Sequence, residues 1–419
     1  MLVNAAPLLL LLAADSTSAN VLKRASGFAA RHTKSLARDL RLAFGGVLPR
    51  SDAQQVIYCK NSAAALSDSS GSGSTGLGSG SGSSGSGSAG GKSSSTATGS
   101  AAGATASSAW HLTQSYSGST FFDGFSFWNT ADPTHGVVDY LDQSDGEAAG
   151  LVEINSAGNA VMRVETTPTV ASVRKSIRIT TLQSFTGGLV IMDAVHMPTG
   201  CGTWPAFWSN GPDWPTGGEI DIVEGVNNYT DNQATIHTAP GCSLTSDDPA
   251  TLGASASVVT GGTDCAAATS GNAGCGMRSP SNVSFGAPFN DNGGGVYAMK
   301  WDSSGISVYF FERNSVPTDI ENGAPQPTSW GLPMANWPAA DCNPWTYFYT
   351  HVAIFDTTLC GDWAGSVWTG TGVPGQDQSC ATRTGFSTCD AFVAASGASF
   401  AEAYWEVKSL KFYNTTAAL

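Results

Sequence analysis

The sequence predicts an all-β fold, a sandwich of two sheets, and three observations carry that prediction. Fifty glycines among 419 residues, with only 12% charged, leave no stretch suited to long helices. From Trp110 onward, short β-branched and aromatic runs recur: VVDYL, LVEIN, AVMRVET, SIRIT, GGLVIMDAV, EIDIVEG, QATIHT, VYAMKW, ISVYFF, HVAIFD and AYWEVKSLKFY. Turn signals such as NSAGN, TGCG and DSSG separate them. About a dozen short strands joined by Gly-rich loops imply one domain of roughly 300 residues.

The chain divides by composition. Residues 1–20 contain an apolar run from Ala5 to Ala14, too short to span a bilayer and suited to the core of a signal peptide. Residues 21–66 are basic and read as a propeptide or disordered spacer, although Leu36, Leu40 and Phe44 also have the spacing of an amphipathic helix. Residues 67–109 are almost wholly Ser, Gly, Ala and Thr, a composition that buries no core and makes a flexible linker. Residues 110–419 are the predicted sandwich. No later segment has the length and hydropathy of a membrane span, and LKFYNTTAAL lacks the tail of a lipid-anchor signal.

From Trp110 onward ten Lys/Arg face 29 Asp/Glu, a balance of −19. Such a domain repels nucleic acid and anionic membranes and favours a neutral or cationic partner. Apart from Cys59, the cysteines stand at 201, 242, 265, 275, 342, 360, 380 and 389. An even set in an exported chain implies disulfides, of connectivity that spacing leaves open, and no CxxC spacing suggests zinc. Sequons at Asn228, Asn282 and Asn414 agree with a secreted glycoprotein.

The candidate chemistry lies in GGEIDIVEG, residues 217–225. Alternation puts Glu219 and Asp221 on one face of a strand, with Ile220 and Ile222 on the other. It would turn Glu224 away; one β-bulge returns it to the face of the other two acids. Carboxyls crowded on one wall repel each other and lose hydration, so one or more keeps its proton at neutral pH, as general acid/base work requires. Glycoside cleavage with retention needs two carboxyls about 5–5.5 Å apart. Glu219 and Glu224 would be about 13 Å apart at Cα, a gap that side chains leaning inward largely close. Acids on the outer side of a solvent-facing strand, or acids ligating calcium, are the competing readings.

The surrounding residues, CGTWPAFWSNGPDWPTGGEIDIVEGVNN, resemble the fungal laminarinase-type members of glycoside hydrolase family 16, the endo-β-1,3(4)-glucanases. The motif E-x-D-x-x-E is matched by Glu219, Asp221 and Glu224. The likeness continues through ATIHTAPGC, YAMKW, ISVYFFERNSVPTDI and FDTTLCGDWAG, and covers roughly Tyr116 to Tyr413. It implies a concanavalin-like curved β-jelly-roll of two antiparallel sheets with an open cleft on the concave face. It assigns Glu219 as nucleophile, Glu224 as acid/base and Asp221 as the assisting residue, with His237 in support. Trp204, Trp208 and Trp363 become sugar contacts, because an aromatic face packs against the apolar face of a pyranose; for Trp214 the resemblance does not decide between sugar contact and loop packing. Where the family pattern has Asn-Leu-Thr, this chain has Asp356-Thr357-Thr358.

The implied protein is a secreted, extracellular or wall-associated, monomeric hydrolase of β-glucans. It needs no cofactor or metal, and neither nucleic acid nor a membrane span is involved. A transglycosylase of the same fold and a lectin-like glucan-binding module are the alternatives. Linkage preference stays open.

Overall fold

The computed structural model describes residues 108–259 and 262–415; the segments read as signal peptide and basic spacer, and all but the last two residues of the stretch read as a linker, lie outside them. In chain order the strands begin with β1 (Trp110–Ser117), β2 (Phe125–Phe127), β3 (Val138–Tyr140), β4 (Val152–Ile154), β5 (Ala160–Arg163) and β6 (Arg174–Ser176). They continue with β7 (Arg178–Thr181), β8 (Gly188–His196), β9 (Thr203–Asn210), β10 (Glu219–Glu224), β11 (Gln233–His237) and β12 (Ser257–Val258). The last are β13 (Cys275–Arg278), β14 (Gly295–Asp302), β15 (Gly305–Glu312), β16 (Ala335–Pro338), β17 (Val352–Leu359) and β18 (Tyr404–Thr415).

Two eight-stranded antiparallel sheets form a jelly-roll sandwich. One runs β16-β15-β14-β8-β18-β5-β4, with β1 also on β18; the other runs β12-β13-β11-β10-β9-β17-β7-β2. A short parallel pair, β3 and β6, stands apart. Alternation explains the layers. On β14, Tyr297, Met299 and Trp301 point into the core between the sheets, while Val296 and Ala298 join a small outer cluster with Tyr309 and Ile320. On the second sheet, Ile220, Ile222, Phe207 and Phe355 face the same core, and the Phe207 and Phe355 rings stack at 4.4 Å.

Strand β9 is absent from the runs that alternation marks, because TWPAFWSN carries a proline inside a central strand. Its pairing resolves the conflict. The β10 ladder ends at Ala206 opposite Glu224, one residue short of Pro205, so the proline breaks no rung on that side. Several other strands, such as β2 and β12, are too short to show a period.

All eight cysteines of the described part pair, as Cys201–Cys380, Cys242–Cys342, Cys265–Cys275 and Cys360–Cys389. Two of these bonds enter a second apolar cluster with Tyr140, Trp368, Phe392 and Phe400. Beside it Arg174 is wholly buried. Its guanidinium donates to the carbonyls of Val393 (2.7 and 3.0 Å), Thr167 (2.8 Å) and Glu165 (3.1 Å), and lies over the Phe400 ring. Arg174→Leu strips three carbonyls of their donor and is expected to lower unfolding stability by about 2–4 kcal/mol in urea titrations. An unchanged midpoint would show that these carbonyls find other partners.

Candidate active site

Strand β10 carries the three acids, and its register contains the bulge that their spacing demands. Against β9, Asp221 pairs with Trp208 and the next pair is Val223 with Phe207, so Ile222 is the extra residue. Glu224 then lies opposite Ala206, two positions along β9 from Trp208, and returns to the face of Glu219 and Asp221. The inward face keeps Ile220, Ile222 and Val223 buried. Entry to the strand is equally constrained. Gly218 has φ +78°, and a Cβ there would meet the Phe348 ring at 2.3 Å and the Tyr347 carbonyl at 2.6 Å, so the glycine before Glu219 admits no substitute.

Around the acids the outer face of the sheet supplies partners. Trp204 donates its indole N–H to Glu224 Oε1 at 2.8 Å, and Trp214 donates to Glu219 Oε2. His237, directly opposite Glu219 on β11, places Nε2 3.3 Å from Asp221 Oδ2. Trp363 stands edge-on to Trp204 at 5.9 Å between centroids. The predicted residues Glu219, Asp221, Glu224, His237, Trp204 and Trp363 therefore converge on one patch. Trp208 lies beside it and turns to a different group: its N–H donates to Asp356 on β17 at 3.1 Å. Its ring is one wall of a stack in which Arg178 sits 5.0 Å from Trp208 and 4.8 Å from Trp128. Arg178 also approaches Asp356 at 3.7 Å.

Burial sets the protonation of these acids. Asp221 is 1% exposed, and loss of hydration, then the neighbouring Glu219 carboxylate and a hydrogen bond to it, raise its pKa well above the carboxylate range. Burial and then the charge of Asp221 raise Glu224 as well, against the opposing Trp204 N–H and His237. Burial lifts Asp356 to about 7, with Arg178 pulling the other way. Asp221, Glu224 and Asp356 therefore hold their protons to higher pH than free carboxyls do, the condition that an acid catalyst needs.

Glu219, Asp221 and His237 also place donor atoms within 4.8 Å of one another, close enough to hold a cation. A metal there would have to displace the proton of Asp221 and would occupy the Glu219 carboxylate. His351, which had no assigned role, is structural. Its ring bonds Ser209 Oγ and the Gly217 carbonyl, both at 2.9 Å, pinning the turn ahead of Glu219, and burial lowers its pKa to about 4.

Sequence reasoning did not place Arg178, Trp128 or Asp356 in the site, and left Trp214 undecided. Asp356 had a signal, its departure from the family pattern. Arg178 had none, since its role depends on two tryptophans brought together only by folding.

A sandwich whose outer face joins paired carboxylates to indole donors is the architecture of a glycoside-cleaving enzyme, and comparison with known proteins agrees. The profile of the XgeA-like catalytic GH16 domain matches residues 125–413. A probable glycosidase of Schizosaccharomyces pombe is 44% identical over 310 residues, 73% of this chain and 70% of that protein. A probable endo-1,3(4)-β-glucanase of Aspergillus niger is 41% identical over 317 residues, but that stretch is 75% of this chain and only 41% of the longer relative. Laminarinase 16A of Phanerochaete chrysosporium, solved with β-glucans in donor and acceptor sites, is similar with TM-score 0.65 and 37% identity over 73% of this chain and 99% of that one. An elongating family 16 β-1,3-glucosyltransferase is similar with TM-score 0.65 and 38% identity over 73% and 100%. The chain belongs to glycoside hydrolase family 16, in its XgeA-like group.

The raised Asp356 has a consequence for stability. A carboxyl that holds its proton longer in the folded state favours folding fully below its unfolded value of 3.8 and loses that contribution as pH rises toward about 7. Asp356→Asn, which keeps an oxygen for the Trp208 N–H, is expected to gain stability relative to wild type progressively across that window. Unfolding free energies measured at a series of pH values check this; parallel curves for the two proteins would contradict it.

Proposed function

We propose that this enzyme is a secreted endo-β-1,3(4)-glucanase that cleaves laminarin-like β-glucans with retention of configuration. The observation that carries the reading is the bulge at Ile222, which puts Glu219 and Glu224 on one face with Asp221 between them. Glu219 attacks the anomeric carbon; the glycosidic C–O bond breaks as Glu224 gives its proton to the leaving oxygen. Glu224, now a carboxylate, deprotonates a water that displaces Glu219 and releases the sugar. Asp221, protonated and hydrogen-bonded to Glu219, holds the nucleophile and tempers its charge. His237 steadies Asp221, and Trp204, Trp208 and Trp363 offer faces or edges for glucose rings. The substrate class draws support from the glucanase relatives, and export from eight paired cysteines.

Transglycosylation is the second reading, favoured by the similarity to the elongating glucosyltransferase. There a second glucan takes the place of water in the same sequence of steps. Sizing the products of a labelled laminari-oligosaccharide separates the two, since transfer yields chains longer than the substrate.

Replacing Glu219 or Glu224 with Gln is expected to abolish laminarin hydrolysis, with a loss of at least about 10²–10⁴-fold for the acid/base, while circular dichroism stays unchanged. Wild-type-like turnover by either variant would sink the assignment. Trp204→Phe removes a hydrogen bond that stabilises the Glu224 carboxylate, so the pKa of Glu224 rises further. The alkaline limb of the kcat/KM profile, where the acid loses its proton, is expected to move to higher pH. A limb that stays in place or moves down would show that Trp204 does not tune the acid.

A further inference from the structure

The bulge leaves a question about the backbone of β10. Strand β11 pairs with β10 only at Glu219–His237, Ile220–Ile236 and Asp221–Thr235. From Ile222 to Glu224, the edge of β10 facing β11 has no partner strand, although Ile222 and Val223 are buried. Buried peptide groups without partners are costly, because they give up hydration with nothing in return.

Asn232, the residue before β11, fills that gap. Its Nδ2 donates to the Ile222 carbonyl at 2.9 Å, and its Oδ1 accepts the Glu224 N–H, also at 2.9 Å. The carboxamide thus presents one donor and one acceptor in the pattern of the missing peptide unit. Asn232 is wholly buried. Its own backbone is held from elsewhere: its N–H donates to Ser284 Oγ at 2.9 Å, its carbonyl accepts from Ser279 N–H at 2.8 Å, and Ser284 Oγ donates on to the Ser281 carbonyl at 2.6 Å. The clamp on β10 is therefore anchored in the 279–284 segment rather than in β10 itself.

From this geometry we propose that Asn232 is the positioning residue of the acid catalyst. It fixes the main chain of Glu224 on the far side of the bulge, and Trp204 fixes the carboxyl. Glu219 needs no such clamp, since it lies before the bulge in regular pairing on both sides. The inference rests on the reading of Glu224 as acid/base. It adds that loss of Asn232 impairs proton donation selectively and leaves attack by Glu219 intact.

Leaving-group dependence distinguishes this from a general structural role. A 2,4-dinitrophenyl β-laminaribioside departs without protonation, whereas laminarin requires it. For Asn232→Ala, kcat/KM on laminarin is expected to fall about 10²-fold while kcat/KM on the dinitrophenyl substrate stays within about threefold of wild type. Asn232→Asp keeps the size and the acceptor for Glu224 N–H, and its protonated form restores the donor. It should recover most laminarin activity at acidic pH, and it provides the measurement if the Ala variant does not fold. Equal losses on both substrates, or no loss on laminarin, would overturn the proposal. Glu224→Gln, assayed alongside, must show the same leaving-group dependence; if it does not, the acid/base reading fails first, and the role of Asn232 falls with it.

Discussion

Everything in the cleft depends on one reconciliation, between a strand that must bury one face and a catalyst that needs three carboxyls on the other. Strict alternation can serve Glu219 and Asp221 only. Inserting Ile222 as a bulge adds a second consecutive buried residue and carries Glu224 back to the outer face. The ladder on the β11 side is interrupted as a result, and a side chain takes over from the neighbouring strand. The distorted backbone, its repair and the placement of the acids are one feature seen at three levels.

The crowding that this creates is tempered mainly by indole N–H groups. Three tryptophans each serve a different carboxyl: Trp214 faces Glu219, Trp204 faces Glu224 and Trp208 faces Asp356. An indole donates a hydrogen bond without adding charge, so it orders Glu224 and Asp356 while each keeps a pKa raised by burial. Arginine would have lowered it far more. Where a cation does enter, Arg178 is held between two aromatic rings, 3.7 Å from an acid still raised to about 7. In the proposed function Trp204 and Trp208 also offer apolar surface to a sugar, so aromatic residues would do both tasks in a chain with little charge to spare.

Long loops join the strands around the site, and covalent or buried polar ties hold them. Cys242–Cys342 joins the loop after β11 to the segment leading into β17, and His351 pins the turn before Glu219. Cys360–Cys389 fastens the segment that carries Trp363 to the chain near the end of the domain, and Cys201–Cys380 ties the entry to β9 to the same region. Arg174 gathers the carbonyls of Glu165 and Thr167, in the loop after β5, and of Val393, in a helix near the end of the domain. Chains so rich in glycine lose much conformational freedom on ordering, and the disulfides reduce the loss by restricting the unfolded state.

Sequence by itself determined the class of fold, the acids and the bulge. Alternation is a local property of a strand, so two-then-three spacing among carboxyls on a β-branched segment already implies an extra residue. An even set of cysteines likewise implied disulfides, though pairing residues 179 positions apart is a matter of topology that no spacing encodes. Tertiary structure alone decided that Pro205 lies in a central strand, because only the end of the β10 ladder at Ala206 shows that no rung is lost on that side. It alone brought Asp356, Arg178 and Trp128 beside Trp208, from strands far apart in the chain. And it alone gave Asn232 its task, since a carboxamide replaces a peptide group only where two strands part.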